Sequence, residues 1–437
     1  MILGTLWKYL RFSLPFLLGW AAVYALWVGP SVTMTGLLLG LAVVLALEWG
    51  TGEGFDTPEY AHPRLFVWLM WTYLPIVLAA FAGFLWTLAH ARNGGDLFGL
   101  AAAIASVTGF DAVAAHAGDG LSTYLLSALL FSAITGIGSV SVGHELAHRT
   151  WERVSIGIAR CCSLFGLFTY YAVEHPYGHH LSVGTARDSS TAFRGESVTR
   201  YFLRTTPQDY QVAWEIETER LNKMGVPVLS WRNRLLRGWA AEVALLGFVL
   251  ALAGWMGLFW FLVAAFNTHF SYKLGTYAQH YGIIRIPGTP IGVHHSWTCN
   301  NRFTNWFSGN IGRHTDHHLE PERPFWALRP FPEAPRNPYP YLTLLLAALI
   351  PPLWHRIWVP SLIEWDERWA SPAEREQARQ ANVSSGVAQL MAHAAMQQAA
   401  INPGKARSTA RRDGSSAKAG GCASAQGDRL PHREEAG

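Results

Sequence analysis

Charge is what this chain has least of. Only 15% of its 437 residues are Asp, Glu, Lys or Arg, against roughly 25% in soluble domains, which is too few to clothe a fold of this size in water. Lys and Arg number 34 against 30 Asp and Glu, a net +4. That small excess excludes the strongly basic surface of a nucleic-acid binder, and no nucleic-acid partner is expected. Cysteine is scarce too. Cys161, Cys162, Cys299 and Cys422 include no Cys-x-x-Cys pair, which excludes a four-cysteine metal module within the chain. Adjacent Cys161 and Cys162 read as small packing residues of an apolar helix. No small-residue cleavage pattern follows the first apolar run, so that run is expected to be a retained helix, not a removed signal.

Half of the residues are hydrophobic, with 20 Trp and 22 Phe. Six apolar runs, 10–28, 31–47, 66–89, 121–142, 239–255 and 257–274, approach the roughly 20 residues that cross a bilayer core. The expected fold is therefore an all-α integral membrane protein with about six transmembrane helices. Positive residues crowd 149–237, and by the positive-inside rule that segment lies in the cytoplasm. Residues 97–113, interrupted by Asp111, read as a surface-lying or re-entrant helix, with a further span as the rival. Residues 341–353 contain Pro351-Pro352 and read as a partly inserted helix. The membrane domain is expected to occupy 1–382, and the Ala-, Ser-, Gly- and Gln-rich remainder, 383–437, reads as a disordered polar and basic tail.

Histidine is where the chemistry concentrates. His144 and His148 stand in GHELAH, His175, His179 and His180 in EHPYGHH, His280 in QHYG, and His314, His317 and His318 in HTDHH. Side chains three or four apart share a helix face and can address one ion, so the spacing predicts that these positions meet at one metal site. Imidazole is mostly neutral at pH 7 and suits iron, copper, zinc and nickel alike. His144-Glu145-x-x-His148 alone is a zinc-protease signature, but that reading leaves the two doubled histidines unexplained. Glu145 reads instead as an acceptor for a ligand imidazole or a solvated helix-end residue. Adjacency offers similar supporting roles to Glu174, Asp188 and Asp316. His269, His294 and His295 are candidates for support, while His62, His90, His116, His355, His393 and His432 read as ordinary surface histidines. Because the clusters follow the ends of the spans, six crossings from an inside amino terminus would set all of them on the cytoplasmic face.

These motifs, GHELAHR, EHPYGHH, TARDSSTAFRGES, YAQHYG and RHTDHH, resemble those of the integral-membrane non-haem di-iron monooxygenases, the alkane and xylene hydroxylases related to membrane fatty acid desaturases. The resemblance runs over residues 66–374. It implies a cytoplasmic histidine-rich di-iron cap in which His144, His148, His175, His179, His180, His280, His314, His317 and His318 are at once the metal ligands and the catalytic residues of two iron ions. It further implies dioxygen as cosubstrate, a small hydrophobic substrate arriving from membrane lipid, and a separate rubredoxin or ferredoxin-type donor with its reductase. The bacterial inner membrane is the implied location. Thr276 and Gln279 depart from the alkane enzymes, and Trp365-Asp366-Glu367-Arg368 is closer to the xylene enzyme. A linear alkane is the preferred substrate, with alkyl-aromatic hydroxylation, acyl desaturation and metal binding or transport without turnover as the alternatives.

Overall fold

A computed structural model describes residues 2–401. Among them helices dominate and no strand forms; the only β pairing is two isolated bridges, Glu53 with Asn301 and Thr298 with Arg336. Four helices, Ser31–Thr51, Arg64–Asn93, Leu121–His148 and Arg234–His280, are long and apolar enough to cross a membrane. The chain is thus an integral membrane protein. The first expected span is shorter than the sequence implied, forming Leu14–Val28, and the last two are arms of the Arg234–His280 helix. That helix is broken at Gly254, whose φ of 67° and ψ of −168° lie where only glycine is comfortable. Leu38, Leu39 and Val43 of Ser31–Thr51 stay exposed, as side chains do when lipid is their solvent.

Local chemistry starts and bends these helices. Asn233 caps Arg234–His280 by accepting from the amides of Leu235 and Leu236, a contribution of about 1 kcal/mol. The arm after Gly254 rises about 39 Å, beyond a core of about 30 Å, and so lifts His280 clear of it. Polar contacts that the hydropathy pattern conceals join it to Leu121–His148: Asn267 Nδ2 donates to Ser132 Oγ at 2.6 Å and Thr135 lies 2.7 Å from Thr268.

Residues 97–113 form short helices, Leu100–Thr108 and Ala112–Ala115, not a span. Tyr341–Ala348 and Pro351–Arg368 split at the proline pair and bury Leu344, Trp354 and Trp358 against Tyr277 and Tyr281. The expected tail needs correction over its first part. Pro372–Ser384 runs through residue 383, and Ala388–Ile401 is a second helix that buries Leu390 and Ala394 in the same aromatic cluster and its surroundings. The rest of the tail lies outside the described residues. Arg194 fastens this region to the histidine-bearing half, pairing with Asp366 at 2.7 Å and donating to Asn382 at 2.9 Å.

Candidate metal centre

The nine histidines of the motifs converge, but in two groups instead of one. His144, His148, His175, His180 and His317 form the first; His179, His280, His314 and His318 form the second; within each group the ring nitrogens facing one another lie within 4.8 Å. All nine are buried. The two groups adjoin, His180 and His318 lying 4.7 Å apart between ring centroids, and the backbone decides which ring joins which. Ile137–Val142 and His175–His179 are π-helical turns, in which the bonding step is five residues. Gly143 donates to the Gly138 carbonyl, and a side chain at 143 would meet that oxygen at 2.7 Å. Pro176 has no N–H to continue an α-helical ladder. The wider turn therefore sends His175 and His180, five apart, to the first group and His179 to the second. Such turns concentrate at functional sites.

Hydrogen bonding does not account for the packing of these rings. His317 Nε2 lies 3.0 Å from Nε2 of both His144 and His180, and His180 Nε2 lies 3.1 Å from that of His175. His314 Nε2 repeats the pattern, 2.9 Å from His280 and 3.1 Å from His318. One imidazole nitrogen offers a single proton or a single lone pair, so it cannot serve two such neighbours. Nitrogens about 2.1 Å from a shared ion and at right angles lie about 3.0 Å apart, which is the spacing found here. The donor sets fit metal ions, one in each group. Burial, and then the neighbouring histidines, hold His175, His180, His317 and His318 well below the usual imidazole pKa, leaving neutral rings with a lone pair to give.

Of the four carboxylates beside the motifs, one reaches a ring. Asp188 accepts from His179 Nδ1 at 2.9 Å and also from Ser190 N and Thr191 Oγ1. Burial works to lower the His179 pKa, but Asp188 overrides it and leaves the ring raised. Glu174 accepts from Ser189 Oγ, and Asp316 accepts from the Arg329 amide and forms an ion pair with Arg323. Glu145 lines a small cavity together with Phe325, His144 and His317 and is hydrogen-bonded to neither ring. Burial, with Asp209 next, pushes the Glu174 carboxyl up to about 8.

The other histidines stand apart. His269 bonds the Leu167 carbonyl at 2.9 Å, and His294 and His295 bond Glu374 at 3.2 and 2.7 Å. His295 Nδ1 already accepts from the Gly292 amide, so its other nitrogen carries the proton and donates to Glu374; these three residues form a further group with ligand atoms within 4.8 Å of one another, apart from the nine. His116 and His393, read from sequence as surface residues, are buried, against Asp119 and Gln397 respectively. His62 is exposed, His90 and His355 are half-buried, and His432 lies outside the described residues. Sequence reasoning missed Gln279 as a neighbour of the centre, 3.3 Å from His314 Nδ1. It also missed the buried Lys273–Asp209 pair at 2.7 Å beneath it; a lone Lys in an apolar run was the available signal.

A cavity of about 380 Å³ opens on both groups. His144 and His175 line it from the first, His179 and His314 from the second, and Val44, Ile137, Val140, Phe303, Phe307 and Leu345 make it apolar. Its size and lining suit a small hydrophobic molecule. A buried, all-histidine metal centre facing an apolar cavity between membrane helices defines a membrane metalloenzyme.

The family model described as fatty acid desaturase matches residues 120–346, just over half of the chain and every one of the nine histidines. The chain belongs to that family. It is 34% identical over 238 residues to an alkane 1-monooxygenase of Acinetobacter baylyi and 34% over 242 residues to alkane 1-monooxygenase 1 of Pseudomonas aeruginosa. Those matches cover 53% and 54% of this chain, and 58% and 62% of the relatives. It is also 32% identical over 264 residues to the xylene/toluene monooxygenase hydroxylase component XylM of Pseudomonas putida, covering 58% of this chain and 68% of that protein.

Proposed function

We propose that this protein is an iron-dependent membrane monooxygenase that hydroxylates a terminal methyl group of a hydrophobic substrate, a linear alkane first of all. The observation that carries the proposal is the apolar cavity lined by histidines of both groups, which lets a hydrocarbon lie against both. His144, His148, His175, His180 and His317 would hold one iron, and His179, His280, His314 and His318 the other. Bound iron supplies the activation of dioxygen; with two electrons and two protons, one oxygen atom enters the substrate as hydroxyl and the other leaves as water. The chain does the rest. Its cavity walls align the hydrocarbon and exclude water, and Asp188 fixes the orientation of His179.

The chain crosses the bacterial inner membrane six times, with Arg234–His280 contributing two crossings through its break at Gly254, and the histidines face the cytoplasm. Electrons come from a separate rubredoxin or ferredoxin-type protein. Alkyl-aromatic hydroxylation is the second reading, favoured by the match to XylM.

Cells producing the protein with a rubredoxin and its reductase, fed octane and para-xylene together, test this by mass spectrometry of the products. 1-Octanol is expected. 4-Methylbenzyl alcohol in its place moves the enzyme to the aromatic reading, and a new double bond in an acyl chain defeats both.

A further inference from the structure

Glu48 is the only acidic residue of the Ser31–Thr51 helix and is 2% exposed. It is also the one residue shared by two cavities, the apolar one described above and a polar vestibule of about 200 Å³. Its carboxylate accepts from Thr304 Oγ1 at 2.8 Å and from the Leu342 amide at 2.9 Å. It thus serves the start of Tyr341–Ala348 and is satisfied where it stands.

The vestibule beyond it is not satisfied. Asn300 is 2% exposed, and neither its Nδ2 nor its Oδ1 has a partner; Asn337, also on the wall, has both amide atoms buried and unpartnered. A buried amide left unpaired is costly, and packing does not remove the cost. Each amide needs an acceptor for its N–H groups and a donor for its oxygen, and one hydroxyl can accept from both amides while donating to one of them. A carboxylate would meet Glu48 and Glu53 as well as Arg336, which is already paired with Glu53 at 3.4 Å, and it has no proton to give either amide oxygen; a bare hydrocarbon would leave all four amide atoms unpaired. Trp49 and Tyr339, 6.0 Å apart between ring centroids, add apolar surface for the first carbons of a chain.

We propose that this vestibule binds the hydroxyl group of a primary alcohol as it leaves the apolar cavity past Glu48, so that substrate and product use different doors. The proposal rests on the hydroxylase reading, and it makes the polar collar a selector for chains that have already reacted. Sites built to bond a hydroxyl discriminate strongly against the analogue that lacks one.

Photolabelling of the full-length, metal-loaded protein in lipid nanodiscs tests it with two probes: a primary alcohol bearing a diazirine on its alkyl chain, and the same diazirine hydrocarbon without the hydroxyl. Both are expected to label peptides of the apolar cavity around Phe303 and Phe307. At Gly52–Glu53 and Thr298–Asn301, which line the vestibule alone, the alcohol is expected to label about tenfold more than the hydrocarbon. Asn300→Ala combined with Asn337→Ala should remove that preference while hydrocarbon labelling of the apolar cavity persists, which also reports that the variant is folded. Equal vestibule labelling by both probes, or none by either, overturns the proposal, and the unsubstituted protein suffices for that comparison if the double variant does not fold. Labelling requires no turnover. A protein that binds the alcohol here yet hydroxylates neither octane nor para-xylene keeps the site and loses the activity proposed above.

Discussion

The two histidine groups share the motifs EHPYGHH and HTDHH but are held in different ways. In the first, the hydrogen-bond-range contacts of the rings are with other histidines, and their placement comes from the π-helical turns and the packing around them. In the second, side chains brace the rings: Asp188 holds His179, and Gln279 lies against His314. One group is thus positioned by backbone geometry and the other by polar partners. Outer partners usually orient a ligand and raise its basicity, so the second group is the one that substitutions around it can tune.

The largest effects should come from removing a ligand at the heart of either group. His317→Ala, which takes away the nitrogen facing both His144 and His180, and His280→Ala should each abolish hydroxylation, measured as alcohol formed per chain. His393→Ala sets the other end of the scale: it is buried beside Gln397 and away from both groups, and it should change neither alcohol yield nor iron content. Measurable turnover in the His280 variant would remove that residue from the ligand set.

Asp188→Ala comes next. It should lower activity or metal affinity by about 10–100-fold, with the loss confined to the second group, as read by iron titration of the variant. A loss shared equally by both groups would show that Asp188 does not act through the second group alone. A smaller effect is expected from Gly275→Leu. Gly275 lines the apolar cavity and has open space where a side chain would stand. Filling it should slow octane hydroxylation about tenfold and favour shorter chains, while leaving iron in both groups, because it narrows the approach without touching a ligand.

Much of this was legible in sequence because hydropathy and motif chemistry are local. The apolar runs, including the separate ones at 239–255 and 257–274, and all nine histidines follow from reading along the chain. The division into two groups does not. A 3.6-residue period assigns His175 and His179 to one face, whereas the π-helical turn at Pro176 puts His180 there in place of His179. Nor does the helix Ala388–Ile401, whose composition is that of a linker; it is ordered because Leu390 and Ala394 find a buried surface that only the fold creates. His116 and His393 were misread for the same reason. Glu48 was visible as the single acid at the end of an apolar run, but its role at the seam of two cavities depends on residues some 250 positions away.

The central claim is that nine histidines divide into two separate metal sites, and iron content per chain tests it most directly. The protein reconstituted with ferrous iron should hold about two ions, and His280→Ala about one, since the five nitrogens of the first group form a site without it. Two ions retained in the His280 variant, or a single ion in the unsubstituted protein, would contradict the division.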